Sequence, residues 1–374
     1  MLRELDHEVI VIGGGQAGLA VAYYLRRAEA NFLVLDAEKQ AGGAWRGAWA
    51  SLRLFSPAGY SSLPGWLMTA SKSKGYPTRV EVIEYLKGYE ERYAFPIRRP
   101  FTVTAVERSG DYLAVRASSG ETLTARVVVS ATGTWTKPFV PDYPGVQEFT
   151  GHLIHSASYH DPKPFKGKNV MIVGGGNSGA QILAELSTVA NTVWVTPTIP
   201  EFLPDDVDGR VLFERATARV KGEDIGIAQA GFGNIVMVPQ LKKARERGVL
   251  QSVRPFSRFT EDGIVWKDGT TTSIDTVIWC TGFRPALDHL RPLGVVDTDG
   301  RIELRDQQSV NEPRLWLAGY GDWTGAASAT LIGAGRTARD MVPRLLKSID
   351  PAKATSPSGE APTGARPLPF PNFT

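Results

Sequence analysis

A short apolar run, Val9-Ile10-Val11-Ile12, stops at Gly13-Gly14-Gly15-Gln16-Ala17-Gly18. The same figure returns at Val170-Met171-Ile172-Val173, before Gly174-Gly175-Gly176-Asn177-Ser178-Gly179. Four apolar residues without polar alternation read as a strand buried on both faces, the mark of a parallel sheet. Behind each G-x-G-x-x-G the apolar residues take helical spacing: Leu19, Ala22 and Leu25 in the first copy, Ile182, Leu183 and Leu186 in the second. A further apolar run closes each copy, Phe32-Leu33-Val34-Leu35 and Val193-Trp194-Val195. Two βαβ units so far apart repeat a domain, not a solenoid turn.

Each position in the fingerprint has a physical task. The first glycine allows the tight turn, the second lets a pyrophosphate approach the backbone, and the third lets helix and strand pack closely. The helix N-terminus then offers free N–H groups and partial positive charge to phosphate. Gly13, Gly15, Gln16, Ala17 and Gly18 are therefore expected at one dinucleotide, and Gly174, Gly176, Asn177, Ser178 and Gly179 at another. In the first copy the second strand ends at Asp36, a carboxylate placed to accept ribose hydroxyls. In the second copy it ends at Val195-Thr196-Pro197-Thr198, with no acid for a ribose diol. That favours NADPH while leaving NADH open, since no Arg follows immediately to hold a 2′-phosphate. Two dinucleotides in one chain imply hydride transfer from a nicotinamide to a flavin. FAD is assigned to the first site, where Gly42-Gly43-Ala44-Trp45 follows the acid, with Gly43 and Trp45 as contacts.

Composition removes other classes. The 374 residues carry a net charge of +3 with no Lys/Arg block, so neither nucleic acid nor a membrane surface is an expected partner. Cys280 is the single cysteine, so this chain builds no internal disulfide, CxxC pair, iron–sulfur cluster or zinc-thiolate site, and no metal is expected. The region from Met1 to Ile12 reads as neither signal peptide nor membrane span, and a cytoplasmic location is expected.

The expected fold is α/β. It has two Rossmann-like domains, each a central parallel sheet with helices and an antiparallel meander or hairpin, the NAD(P)H domain inserted in the FAD domain. Residues 1–145 and 283–350 are assigned to FAD and 146–282 to NAD(P)H, leaving a Pro-rich tail at 351–374. The meander is predicted from Phe101–Val106, Tyr112–Ala117 and Leu123–Ser130, separated by the turn residues Ser109-Gly110-Asp111 and Ser118-Ser119-Gly120. A hairpin is predicted around Asp268-Gly269.

With these motifs in hand the chain resembles the class B flavoprotein monooxygenases. That group contains flavin-containing monooxygenases, plant auxin-forming relatives and Baeyer–Villiger enzymes. The stretch Phe149-Thr150-Gly151-His152-Leu153-Ile154-His155-Ser156-Ala157-Ser158-Tyr159 matches their F-x-G-x-x-x-H-x-x-x-[YF] signature. Ala131-Thr132-Gly133 and Cys280-Thr281-Gly282 look like the paired crossings by which such chains leave and re-enter the FAD domain. Gly319-Tyr320-Gly321-Asp322 resembles the late element whose Asp contacts the ribityl chain. The resemblance implies Thr132, Gly133, Thr281, Gly282, Gly321 and Asp322 as cofactor residues. Ser51–Pro57, Phe202–Arg210 and Gly321–Gly325 look most like bacterial flavoproteins encoded with arsenic-resistance or metal-cation transport genes.

The resemblance also implies chemistry. NAD(P)H reduces FAD, O₂ is captured at flavin C4a as a (hydro)peroxide, and one oxygen passes to a small molecule, a soft heteroatom before a carbonyl. The sequence departs in placing Phe55-Ser56-Pro57 where these monooxygenases carry an Asn. Arg53, Ser56 and Trp45 are the expected groups shaping the oxygen site on the flavin side. His155 and Trp135 are expected where the domains meet, with a structural bridge as the other reading of His155. Two further readings stay open: a reductase passing electrons to a quinone, metal species or O₂, and a redox sensor without turnover. A homodimer is compatible with all three.

Overall fold

A computed structural model of the chain describes residues 5–72, 75–220 and 234–350. The Pro-rich tail lies outside the described residues. The first unit is β1 (His7–Ile12), α1 (Gln16–Arg27) and β2 (Phe32–Leu35). Then come α2 (Arg79–Tyr93), β3 (Ile97–Arg98), β4 (Val103–Ser109), β5 (Tyr112–Ala117) and β6 (Thr122–Ser130). After β7 (His152–His155) the second unit is β8 (Asn169–Val173), α3 (Asn177–Leu186) and β9 (Asn191–Val195). It continues through α4 (Gly209–Val220), α5 (Pro239–Glu246), β10 (Ser252–Val253), β11 (Arg258–Thr260), β12 (Gly263–Val265), β13 (Thr271–Ser273) and β14 (Thr276–Trp279). The chain then runs through β15 (Leu304–Arg305), β16 (Gln308–Ser309), β17 (Leu315–Leu317) and α6 (Leu331–Ile349).

Two mainly parallel sheets result. The first runs β15-β16-β17-β6-β1-β2-β3, and the second β10-β9-β8-β14-β7. The predicted meander differs in one respect. Its third strand, β6, pairs antiparallel with β5 but parallel with β1 and β17, so it is a full member of the first sheet. The hairpin β12–β13 forms as predicted and gains β11 as a third antiparallel strand.

Why the first strands are wholly apolar is now visible. Val9 and Val11 face one core with α1, α2 and α6, while Ile10 and Ile12 face another under the meander. Both faces are covered, so alternation has no use. Truncating a fully buried residue such as Leu25 to Ala costs about 2–5 kcal/mol by transfer and cavity terms. The entry to α2 is set by a capping box: Glu81 N–H donates to the Thr78 hydroxyl and the Glu81 carboxylate receives Thr78 N–H. That backbone donor is the main cause that draws the Glu81 carboxyl down to about 2.

Candidate active site

At both fingerprints the helix N-terminus is left bare. The N-caps of α1 and α3 are Gly15 and Gly176, neither with a side-chain cap, and neither first turn holds an acid. A Cβ at either glycine would meet nothing within 4 Å, so open space faces the free N–H groups. A pyrophosphate fits such a cradle, and both sites therefore fit dinucleotides. Gly13 and Gly174 are different. They sit at φ +112 and +137, and a Cβ would collide with the carbonyls of Ala131 and Cys280 respectively. Each fingerprint is thus backed by the end of a neighbouring strand, and those strand ends are the Ala131-Thr132-Gly133 and Cys280-Thr281-Gly282 crossings.

The two crossings are laced together. Phe139 N–H donates to Gly282 O at 2.9 Å, Arg284 N–H to Lys137 O at 2.8 Å, and Ala286 N–H to Gly133 O at 2.9 Å. Thr132 Oγ1 donates to Ala286 O at 2.7 Å, and Thr281 Oγ1 reciprocates to Phe139 O. Trp135 stacks on Phe283 across the pair, with centroids 5.2 Å apart.

The first cradle opens into a cleft of about 1010 Å³ that Gly13, Gly15, Gln16, Ala17, Asp36, Gly43, Trp45, Thr132 and Gly133 all line. That volume lies at the upper end for ligand clefts, as a dinucleotide requires. Gly18 sits behind it, with no room for a Cβ against Gly13 O. Trp45 Nε1 donates to Gln16 Oε1 at 3.0 Å, and the Gln16 amide donates to Ala329 O, fixing the cleft rim. Asp36 is 5% exposed and does not stand alone. Arg99 Nη2 lies 2.8 Å from its Oδ2 and also holds Glu90, with Nη1 at 2.6 Å. Among the described residues, Asp36 Oδ1 receives only the Glu38 N–H at 3.3 Å, which leaves acceptor capacity for ribose. Nothing local to the fingerprint marks Arg99, because Asp36 is brought to it by β2–β3 pairing and Glu90 by α2.

At the second cradle the Asn177 side chain is already used: it donates to Asn234 O at 3.0 Å and accepts Val236 N–H at 2.9 Å. Gly174, Gly176, Ser178 and Gly179 supply backbone around it. Thr196, fully sealed, has its Oγ1 2.9 Å from Ser252 Oγ, and Arg254 Nη2 donates to that same oxygen at 2.8 Å. Arg254 escapes notice in sequence because it reaches the end of β9 through β10, the neighbouring strand.

The signature stretch proves to be a clamp. Phe149 packs on Phe259, with ring centroids 5.2 Å apart, and Gly151 leaves no room for a Cβ beside Asp275 O. His155 Nδ1 accepts Ala157 N–H at 3.1 Å, so its Nε2 is the donor to Gly282 O at 3.0 Å. Burial lowers its pKa. The fully buried Tyr159 donates to Glu185 on α3 at 2.8 Å. His155 thus ties the signature to the second crossing.

Arg53 and Ser56 do not line the cleft. Arg53 Nη1 donates to Tyr76 O at 2.9 Å, and Ser56, 2% exposed, shares a 2.7 Å bond with Ser61. They lie beside a seam where Gly209 N–H donates to Phe55 O at 2.7 Å and Tyr76 OH to Asp208 at 2.9 Å. Thr281, Gly282, Gly321 and Asp322 also stand off the cleft lining; Asp322 Oδ1 accepts Ala327 N–H at 3.2 Å and shapes the turn before α6. Burial pushes the Cys280 thiol up to about 12, which disfavours the thiolate.

Residues 10–206 match the family model described as pyridine nucleotide-disulphide oxidoreductase. An uncharacterized oxidoreductase, CzcO, of Bacillus velezensis is 30% identical over 351 residues, 91% of this chain and 99% of its own. The solved flavin-containing monooxygenase from Stenotrophomonas maltophilia is 50% identical with a TM-score of 0.85, over 92% of this chain and 99% of that one. Indole-3-pyruvate monooxygenase YUCCA1 of Oryza sativa is 27% identical over 89% of both chains.

The fold and its two phosphate cradles define a flavin-dependent oxidoreductase with FAD and a nicotinamide dinucleotide as cofactors. The chain belongs to the pyridine nucleotide-disulphide oxidoreductase family. With one cysteine it has no redox disulfide of its own to serve. Among the described residues no helix is long and apolar enough to cross a membrane.

Proposed function

We propose that the chain is a monooxygenase that uses NADPH and O₂ to place one oxygen atom on a soft heteroatom of a small molecule. The observation that carries this most is the likeness to the Stenotrophomonas enzyme across 92% of the chain. When bound, FAD would supply hydride acceptance from NADPH and two-electron delivery to O₂, one oxygen going to the substrate and the other leaving as water. The chain's own residues bind, orient and seal. The cradles at Gly13–Gly18 and Gly174–Gly179 hold the two pyrophosphates, and Asp36 with Arg99 behind it holds the first ribose. The proposed division follows: 1–145 and 283–350 carry FAD, 146–282 carries the nicotinamide dinucleotide, and the laced crossings fix one against the other. His155 is a positioning residue there. Arg53 and Ser56 act through the seam, which keeps water from the reacting centre.

NADPH over NADH is supported by the missing acid after β9 and by Arg254, whose guanidinium approaches that strand end without a carboxylate partner among the described residues. The test is product analysis. Purified holoenzyme is given NADPH, O₂ and thioether, amine or arsenite-class substrates. Oxygenated product equal to NADPH consumed supports the reading; stoichiometric hydrogen peroxide with every substrate replaces it with a reductase.

A further inference from the structure

His289 stands in the wall of the FAD cleft, 6% exposed, and none of the chemistry above uses it. It belongs to a chain of hydrogen bonds whose proton directions can be worked out from one end. Thr132 Oγ1 donates to Ala286 O at 2.7 Å, which spends the only proton of that hydroxyl. The 2.7 Å bond between Thr132 Oγ1 and Tyr320 OH must then be donated by Tyr320. The phenolic proton being spent, the 2.6 Å bond between Tyr320 and Ser130 is donated by Ser130 Oγ. Ser130 has no second proton, so its 3.1 Å bond to His289 Nε2 is donated by the imidazole. His289 is therefore the Nε2–H tautomer, and its Nδ1 carries a bare lone pair. Nδ1 has no partner among the described residues and is not fully sealed, and the residue that carries it lines the cleft.

An acceptor held in a cleft recognises a donor. Pyrophosphate oxygens carry none at neutral pH, whereas adenosine has ribose hydroxyls and an exocyclic amine. His289 lies on the Asp288–Leu293 turn, which packs against β4, and the start of the meander, Phe101–Thr104, lines the same cleft next to Asp36 and Glu38. Phe101 N–H donates to Asp36 O at 2.7 Å, which joins that stretch to the ribose anchor.

We propose that His289 Nδ1 accepts a hydrogen bond from the adenosine half of FAD, with the Thr132–Tyr320–Ser130 relay fixing the tautomer that makes this possible. This rests on the FAD assignment and not on the oxygen chemistry, so it survives if the protein proves to be a reductase. Burial supports it by pushing the imidazole down to about 4, which keeps it neutral against the pull of neighbouring Asp288.

The test uses apoprotein freed of flavin and titrated with FAD, ADP and FMN. His289→Gln keeps a donor for Ser130 and removes the acceptor at the Nδ1 position. Loss of one neutral hydrogen bond raises the dissociation constants for FAD and ADP about three- to tenfold, and leaves that for FMN unchanged. An unchanged ADP constant overturns the proposal, as does an equal loss for FMN, which would place the contact on the flavin half. If the variant fails to fold, the wild-type apoprotein still decides. ¹⁵N-edited spectra of its five histidines must show one Nε2–H imidazole whose Nδ1 resonance moves on adding ADP. An Nδ1–H tautomer, or no movement, rejects it.

Discussion

His155 and Arg254 show how differently two polar side chains can be placed. His155 spends both ring nitrogens on backbone, one on Ala157 and one on Gly282, and so works as a brace. Its pKa is lowered by burial from an ordinary value of 6.5, so the unfolded chain binds the proton more readily. Stability is therefore fully present above pH 6.5 and falls as the pH drops below it. His155→Asn, which keeps the acceptor for Ala157, should flatten part of that decline; melting curves of both proteins from pH 7.5 to 5 read it. Arg254 is exposed and, among the described residues, bonded only to Ser252. Arg254→Ala should weaken 2′,5′-ADP about tenfold while leaving 5′-ADP unchanged, as removal of one charged phosphate contact predicts. Equal weakening of both by calorimetry would remove Arg254 from cofactor choice. Neither role is visible at the residue's own place in the sequence, because the deciding partners lie on other strands.

At the scale of elements, each strand–glycine–helix unit carries its own phosphate cradle, and each is closed behind by a different strand end. Gly174 is at φ +137 with the Cys280 carbonyl where a Cβ would stand. Gly174→Ala should abolish flavin reduction by NADPH while the protein keeps its flavin absorbance, because the first cradle, proposed to hold FAD, is untouched. Rapid-mixing absorbance decides it: reduction at the wild-type rate would show that the second cradle does not bind NADPH. Both units were legible in the linear chain, since apolar runs, glycine spacing and helical periodicity are local signals. The double role of β6 and the addition of β11 were not. Strand pairing depends on which edges meet in space, and a period of two does not say which neighbour a strand takes.

Across the whole molecule, the two sheets meet at the laced crossings and again at the seam of residues 53–60 and Tyr76 with 208–214. There Tyr76, its hydroxyl pushed up to about 12 by burial and by Asp208, donates to that carboxylate at 2.9 Å. Tyr76→Phe loses that bond, about 1 kcal/mol, and should raise the hydrogen peroxide released per NADPH two- to fivefold as water reaches the centre. An unchanged peroxide yield would show that the seam has no sealing role. The sequence alone determined two βαβ units with glycine fingerprints, their order along the chain and the lack of an internal disulfide, because glycine, periodicity and cysteine count are properties of the string. The tertiary structure decided that Asp36 is shared with Arg99, that the signature is a clamp, that Arg53 and Ser56 face a seam, and that His289 stands in the cleft wall bonded to Ser130. Hydrogen-bond direction and burial depend on what folding brings alongside, and no local pattern encodes that.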